Sequence, residues 1–173
     1  MTRYAVRPAV EADAQVLLAW HNDTQTLRWA RNQEEVAWPG HVRWLRSTVA
    51  ADDRLLWVVE ADDRQVASVR YDRDDADPTT VEVSIVVAGE ARGQGVGAEA
   101  LRRGEEELGT CWPDVRTIAA VVHCDNAASR RLFHRAGYHV QVEADPWVTL
   151  TKTIDDEGTA VRPSAPEELP HPT

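Results

Sequence analysis

Thr80 to Val87 alternates side chains as a strand does, with Val81, Val83, Ile85 and Val87 on one face and Glu82, Ser84 and Val86 on the other. It runs into Glu90-Ala91-Arg92-Gly93-Gln94-Gly95-Val96-Gly97, where three glycines fall within five residues, and helical spacing takes over from about Val96 to Leu108. Glycine lets a chain turn sharply and brings backbone N–H groups close to a ligand with no Cβ in the way. At a strand-to-helix junction those groups and the helix dipole converge on one point, which suits a pyrophosphate, and Arg92 can add a full charge. Gly93, Gly95 and Ala98 also satisfy the loose dinucleotide pattern G-x-G-x-x-G/A. Against that reading, several strands precede the turn, Cys111-Trp112-Pro113-Asp114 does not resemble a strand ending in a ribose-binding acid, and Arg92 has no place in the pattern.

The remaining pattern predicts strands near 3–7, 55–59 and 65–71, with turns at 62–64 and 72–78. Further strands are expected at 117–122, 139–143 and 147–153. Helices are expected at 11–20, with His21-Asn22-Asp23 as a stop, at 40–49 with Val42, Leu45 and Val49 on one face, and at 126–136. The fold class expected is α/β (α+β), one domain over 1–154. Residues 155–173, rich in proline and acid, read as a disordered tail.

Charge narrows the partners. The formal net charge is −10, and arginine supplies almost all of the cations. That balance disfavours nucleic acid and anionic membrane and suits a neutral or cationic small molecule. No apolar run approaches the roughly 20 residues that span a bilayer. Met1 to Val6 lacks a long apolar stretch, and Cys111 and Cys124 fit no metal or redox spacing. The expectation is a cytoplasmic protein whose two cysteines are small buried hydrophobes, with no metal.

Asn126-Ala127-Ala128-Ser129-Arg130-Arg131-Leu132-Phe133-His134-Arg135-Ala136-Gly137-Tyr138 adds a capped helix with Ala128, Leu132 and Ala136 as its buried stripe. Together with the glycine turn, this arrangement closely resembles the GCN5-related N-acetyltransferase (GNAT) superfamily. The acyl-CoA loop (Q/R)-x-x-G-x-(G/A) is matched by Arg92 to Gly97, and the second signature by Asn126, Ser129, Phe133, Gly137 and Tyr138. In the front half, Arg7-Pro8-Ala9, Asp13 and His21-Asn22-Asp23 resemble ribosomal-protein N-terminal acetyltransferases. The run through Trp29, His41, Trp44 and Leu45 resembles enzymes that acetylate a nucleotide-linked amino sugar.

The resemblance implies a mixed, mostly antiparallel sheet of six to seven strands flanked by about four helices and splayed between the fourth and fifth strands. It implies acetyl-CoA as co-substrate, direct transfer in a ternary complex, and a monomer or homodimer. Val87, Arg92, Gly93, Gln94, Gly95, Val96, Gly97, Asn126, Ser129 and Phe133 would hold the donor. Backbone amides of Ile85 and Val86 would stabilise the oxyanion, and Glu82 is the candidate general base. Trp20, His21, Trp29 and His41 fall in the region that forms the acceptor site, His21 and His41 being weaker base candidates. Phe133 stands where many relatives place the tyrosine that protonates the leaving thiolate, so that role does not carry over. The reaction expected is acetyl transfer to a small-molecule amine such as an amino sugar, amino acid or antibiotic-like amine. A protein N-terminus is the alternative acceptor, and a CoA-binding regulatory domain the alternative class.

Overall fold

The computed structural model describes residues 1–154. The expected tail lies outside the described residues. In chain order the elements are β1 (Tyr4–Pro8), a 3-10 turn (Glu11–Asp13), α1 (Ala14–His21), α2 (Thr24–Arg28) and α3 (Trp38–Ala50). There follow β2 (Arg54–Ala61), β3 (Arg64–Arg73), β4 (Thr80–Val87), a 3-10 turn (Gly89–Ala91) and α4 (Val96–Cys111). β5 (Thr117–His123), α5 (Ala127–Arg135), β6 (His139–Ala144) and β7 (Trp147–Thr153) complete the described chain. The seven strands form one sheet in the order β1-β2-β3-β4-β5-β7-β6, antiparallel except for β4 with β5.

The fifth helix, α2, is the addition to the four expected. Asp23 does not simply stop the chain: its carboxylate accepts the Gln25 and Thr26 amides at 3.1 and 3.2 Å and starts a new helix. Two buried faces also differ from the expected ones. α3 turns His41, Leu45 and Thr48 inward and leaves Val49 exposed. In α5 the buried residue is Phe133, flanked by half-buried Leu132 and Ala136, whereas Ala128 is exposed.

Strand alternation assigns the helices to opposite faces. Val69 and Tyr71 point at α4, where a Cβ on Gly104 would meet the Tyr71 hydroxyl and Val69 Cγ1 at 3.0 Å. The intervening Arg70 points the other way, its guanidinium 5.7 Å from the Trp44 ring of α3. α4 thus packs on one face, with α5 beside it through Leu132 and Gly97, and α1 and α3 cover the other.

Asp13 ties the front of the domain together. Its buried carboxylate takes both terminal nitrogens of Arg7 at 2.8 Å, the Val10 amide at 2.8 Å and the Gln65 side chain at 2.7 Å. Arg7 reaches on to Glu60 on β2 at 2.8 Å. These bonds, above all the one from Arg7, hold the Asp13 carboxyl below the usual carboxylate range despite burial. A depressed folded value means that the stabilisation is complete above the unfolded value of about 3.9 and is lost as pH falls through the lower folded one. Asp13→Ala is expected to cost about 2–3 kcal/mol in chemical unfolding at neutral pH. The gap between it and wild type should narrow as the unfolding is repeated at pH values below the ordinary carboxylate range.

Candidate active site

The β4–β5 ladder is the origin of the site. It pairs only Thr80, Val81 and Glu82 with Thr117, Ile118 and Ala119, although both strands run on for several residues. Beyond Glu82 and Ala119 the strands part, as expected, and leave a V-shaped gap in the middle of the sheet. Pairing on the other side of β4 decides which amides face that gap. Ala88 donates to Val66 on β3 at 2.9 Å, so Val87, opposite Ala67, is a non-hydrogen-bonded pair whose N–H points away from β3. By alternation the Ile85 N–H also faces the gap, while that of Val86 is turned to Ser68 on β3. The amides available at the gap are therefore those of Ile85 and Val87, and Val86 drops out of the expected pair.

The glycine turn closes one end. Gly93 and Gly95 have φ of +73° and +81°, and a Cβ on either would meet nothing within 4 Å. Glycine is thus required there by backbone conformation, and the open space admits a ligand against the main chain. Gly95 caps α4, whose first-turn amides lack helical acceptors. Glu99 in that turn is held to about 2 by hydrogen bonding to Arg102, assisted by Arg103, so its charge is matched beside an anion site. Gln94 bonds back to the Glu90 carbonyl at 2.7 Å and braces the turn. Gly97 lies against Leu132 of α5, 3.4 Å from where its Cβ would be.

Arg92 departs from expectation. Its guanidinium turns from the glycines onto α2, bonding Asp23 at 2.7 Å, Gln25 at 2.9 Å and Thr26 at 3.1 Å, with Nε on the Val87 carbonyl at 3.2 Å. It clamps α2 to the end of β4, and Arg92 in turn holds the Asp23 carboxyl below its usual range. A cleft of about 790 Å³ lies along this clamp, lined by Arg28, Trp29, Gln33, Glu35 and Arg92 among others.

Glu82, Ser84 and Val86 point to the face covered by α1 and α3. Across the gap, Ala119, Val121 and His123 share that face through the Glu82–Ala119 pairing. The loop after α2 spans the two strands. Arg31 bonds Glu82 at 2.8 Å, and the Trp29 ring lies 5.3 Å from His123, which meets Trp147 at 5.4 Å. The loop is pinned behind by Asn22, whose side-chain amide exchanges two 2.9 Å bonds with the Val36 backbone.

Residues 3–139 match the family described as "Acetyltransferase (GNAT) domain". The chain belongs to the GNAT acetyltransferase family. Solved structures agree on the fold. A ribosomal-protein-alanine N-acetyltransferase from Brucella melitensis is 24% identical, with a TM-score of 0.74 over 87% of this chain and 99% of its own. A yncA protein from Salmonella typhimurium, with its cofactor acetyl-CoA, is 19% identical, with a TM-score of 0.71 over 96% of this chain and 99% of its own. The aminoglycoside acetyltransferase AAC(6')-Ib in complex with coenzyme A is 18% identical, with a TM-score of 0.73 over 87% and 95%. GNAT acetyltransferases use acetyl-CoA as co-substrate and need no metal.

In this GNAT acetyltransferase the other expected residues divide by burial. Trp20 and His41 are 7% and 3% exposed and pack into the core. Burial lowers the His41 pKa and leaves its Nε2 without a partner among the described residues. His21 is half-buried, and burial together with Arg70 lowers its pKa, so it is neutral at pH 7. Asn126 uses its Oδ1 to cap α5 through the Ser129 amide at 3.1 Å, and its NH₂ group has no partner among the described residues. Phe133 is 3% exposed and packs edge-on against Tyr138 at 5.0 Å. The buried Tyr138 hydroxyl donates to Glu105 at 2.8 Å, and Lys152 pairs with the same carboxylate.

The cysteines are not buried hydrophobes: Cys111 is exposed and Cys124 half-buried, and both are free. Cys124, His123 and Asp125 bring donor atoms within 4.8 Å of one another. The His123 Nδ1, however, accepts the Asp125 amide at 3.2 Å. Burial, Asp125 and Asp145 push the thiol pKa up, so this corner holds a protonated thiol in a hydrogen-bonded turn.

Sequence reasoning missed Arg31, His123 and Trp147. For His123 and Trp147 a signal existed, since alternation from Ala119 and Thr149 puts both on the same face of the sheet as Glu82. Nothing in the sequence pairs Arg31 with Glu82, 51 positions away. Asp23→Ala removes the α2 cap and the Arg92 anchor together. It should cost about 1 kcal/mol from the cap alone, and hydrogen exchange at Gln25 and Thr26 should accelerate while that of β3 is unchanged.

Proposed function

We propose that this chain is a cytoplasmic enzyme that transfers acetyl from acetyl-CoA to the amine of a small molecule by direct attack in a ternary complex. The observation that carries the reading is the end of the β4–β5 ladder at Glu82. One residue pair separates a closed sheet from a gap that has main-chain donors along its β4 edge and a carboxylate on the opposite, acceptor-side face. Acetyl-CoA supplies an activated thioester carbonyl. The glycine turn and the first turn of α4 suit its pyrophosphate, and the Asn126 NH₂ suits the polar arm.

The Ile85 and Val87 amides are the donors for the developing oxyanion. The acceptor amine must lose a proton to become nucleophilic. Glu82 is the acceptor of that proton, directly or through water, and neutral His21 on the same side is the second candidate. No proton donor stands at Phe133, and the Tyr138 hydroxyl is committed to Glu105. The sulfur therefore leaves as thiolate, which a thiol pKa of about 8.5 permits.

A protein N-terminus is the second reading, favoured by the likeness to the Brucella enzyme. The loop that covers the acceptor face from Glu82 to His123 favours a small molecule. A CoA-binding domain without transfer remains the reading of another class, and release of CoA with any amine excludes it.

Glu82→Gln should lower kcat by about 10²- to 10⁴-fold with acetyl-CoA affinity unchanged. An unchanged kcat in stopped-time CoA-release assays would remove Glu82 from the chemistry. Gly95→Val forces a β-branched residue to positive φ at a cost of about 1–3 kcal/mol and fills the open space. Native mass spectrometry should show one acetyl-CoA bound to wild type and none to this variant, with the folded charge-state distribution kept. The pH–rate profile should rise to a plateau with no descending limb between about pH 7 and 9, because no side chain has to stay protonated at the sulfur.

A further inference from the structure

The Arg31–Glu82 pair bears on which amines this site accepts, and the argument rests on the acetyl-transfer reading above. Glu82 is the carboxylate that an acceptor ammonium would approach, and Arg31 already occupies it at 2.8 Å. Both side chains are partly exposed, 57% for Arg31 and 37% for Glu82, so the pair is weakly held and can open. A simple ammonium entering there would displace one cation by another. It would leave Arg31 without a carboxylate at the rim of the cleft.

Arg28, three residues earlier at the end of α2, has no carboxylate partner among the described residues either. Its guanidinium lies over the Trp29 ring at 4.7 Å, and it lines the adjoining cleft. The cleft that Arg28 lines also holds Arg92, Asp23 and Glu35, so its charges are matched there, and Arg31 is the cation held on Glu82 where the sheet opens.

A zwitterion resolves the conflict. We infer that the acceptor is an amine with a carboxylate on the neighbouring carbon, an α-amino acid or a close analogue. It inserts between Arg31 and Glu82, with its ammonium on Glu82 and its carboxylate on Arg31. Insertion replaces one ion pair by two and leaves the net charge of the site unchanged. Arg31 is long and exposed enough to draw back on its stem as the ligand enters. The guanidinium fork of Arg31 matches a carboxylate geometrically. The amino acid's side chain then lies toward Trp29, His123 and Trp147, whose rings form a continuous wall along the end of β5. In this arrangement Arg31 is a specificity-determining residue and takes no part in proton transfer.

The test measures CoA release with the free proteinogenic amino acids and, for each one turned over, with its amide and its decarboxylated amine. Glucosamine and an N-terminal alanine peptide serve as acceptors of other classes. The free acid should exceed its amide and amine in kcat/KM by about tenfold to hundredfold, the range that one charged hydrogen bond supplies. Arg31→Gln should raise KM for the acid by a similar factor, leave kcat nearly unchanged and erase the preference. Arg31→Lys should restore part of it. Acetyl-CoA binding, measured separately, should be the same in wild type and both variants.

Amides or simple amines used as well as the acids, turnover of glucosamine or the peptide alone, or a preference that survives Arg31→Gln would each overturn the inference and leave acetyl transfer standing. Acetyl-CoA bound without transfer to any acceptor overturns it as well. Failure to bind acetyl-CoA overturns the function on which it rests.

Discussion

The three-residue parallel ladder between β4 and β5 is the constraint on which the rest of the structure depends. Parallel pairing needs a long crossover, which α4 supplies, and the crossover fixes where the two strands start side by side. They cannot stay together, because β4 must end at the glycine turn under α2 while β5 must end beside Trp147. Their divergence converts main-chain groups that a continuous sheet would consume into groups available to a ligand. It also places Glu82, the last paired residue of β4, where the sheet opens. A single structural event thus frees main-chain donors along β4 and sets the Glu82 carboxylate at the edge of the opening.

Around that opening the protein separates rigidity from adjustment. The α4 face is densely filled: Gly104 is pressed against Tyr71 and Val69, and buried Tyr138 with half-buried Glu105 and Lys152 forms a polar set that ties α4, the turn after α5 and β7 to one another. The opposite face carries short α2, a loop without regular structure, and ion pairs that are partly solvated. Exposed ion pairs contribute little to stability, and that face can therefore rearrange around a ligand while the sheet stays fixed.

Local patterns made the fold and the donor end legible in the sequence. Alternation in Thr80–Val87, positive-φ glycines and an Asn-capped helix are short-range signals, and each produced the element expected of it. The site was less legible wherever a side chain had two plausible partners. Arg92 looked like a phosphate ligand from its place before the glycines, yet a carboxylate 69 residues away holds it more closely. Asp23 read as a helix stop because a cap and a stop share the same residue types. Trp20 and His41 were drawn toward function by their chemistry, whereas helix phase, which alone decides burial, turned them into the core. Val86 failed for a subtler reason: side-chain alternation is visible in a sequence, but the direction of each amide is settled only by the neighbouring strand.

Asn22 closes residues 23–35 into a loop whose two ends lie side by side, held by the paired bonds to Val36. A loop tied at its base behaves as a cassette. Past the residues that hold Arg92, its remainder, 27–35, can be exchanged or changed in length with little entropic penalty to the domain, since each doubling of loop length costs only about 0.6 kcal/mol. Trp29 and Arg31, which reach His123 and Glu82 on the two parted strands, lie within it, while the glycine cradle and the β4 edge lie outside. Replacement of a single short segment would therefore reshape the surface around Glu82 and leave the glycine cradle and the β4 edge as they are.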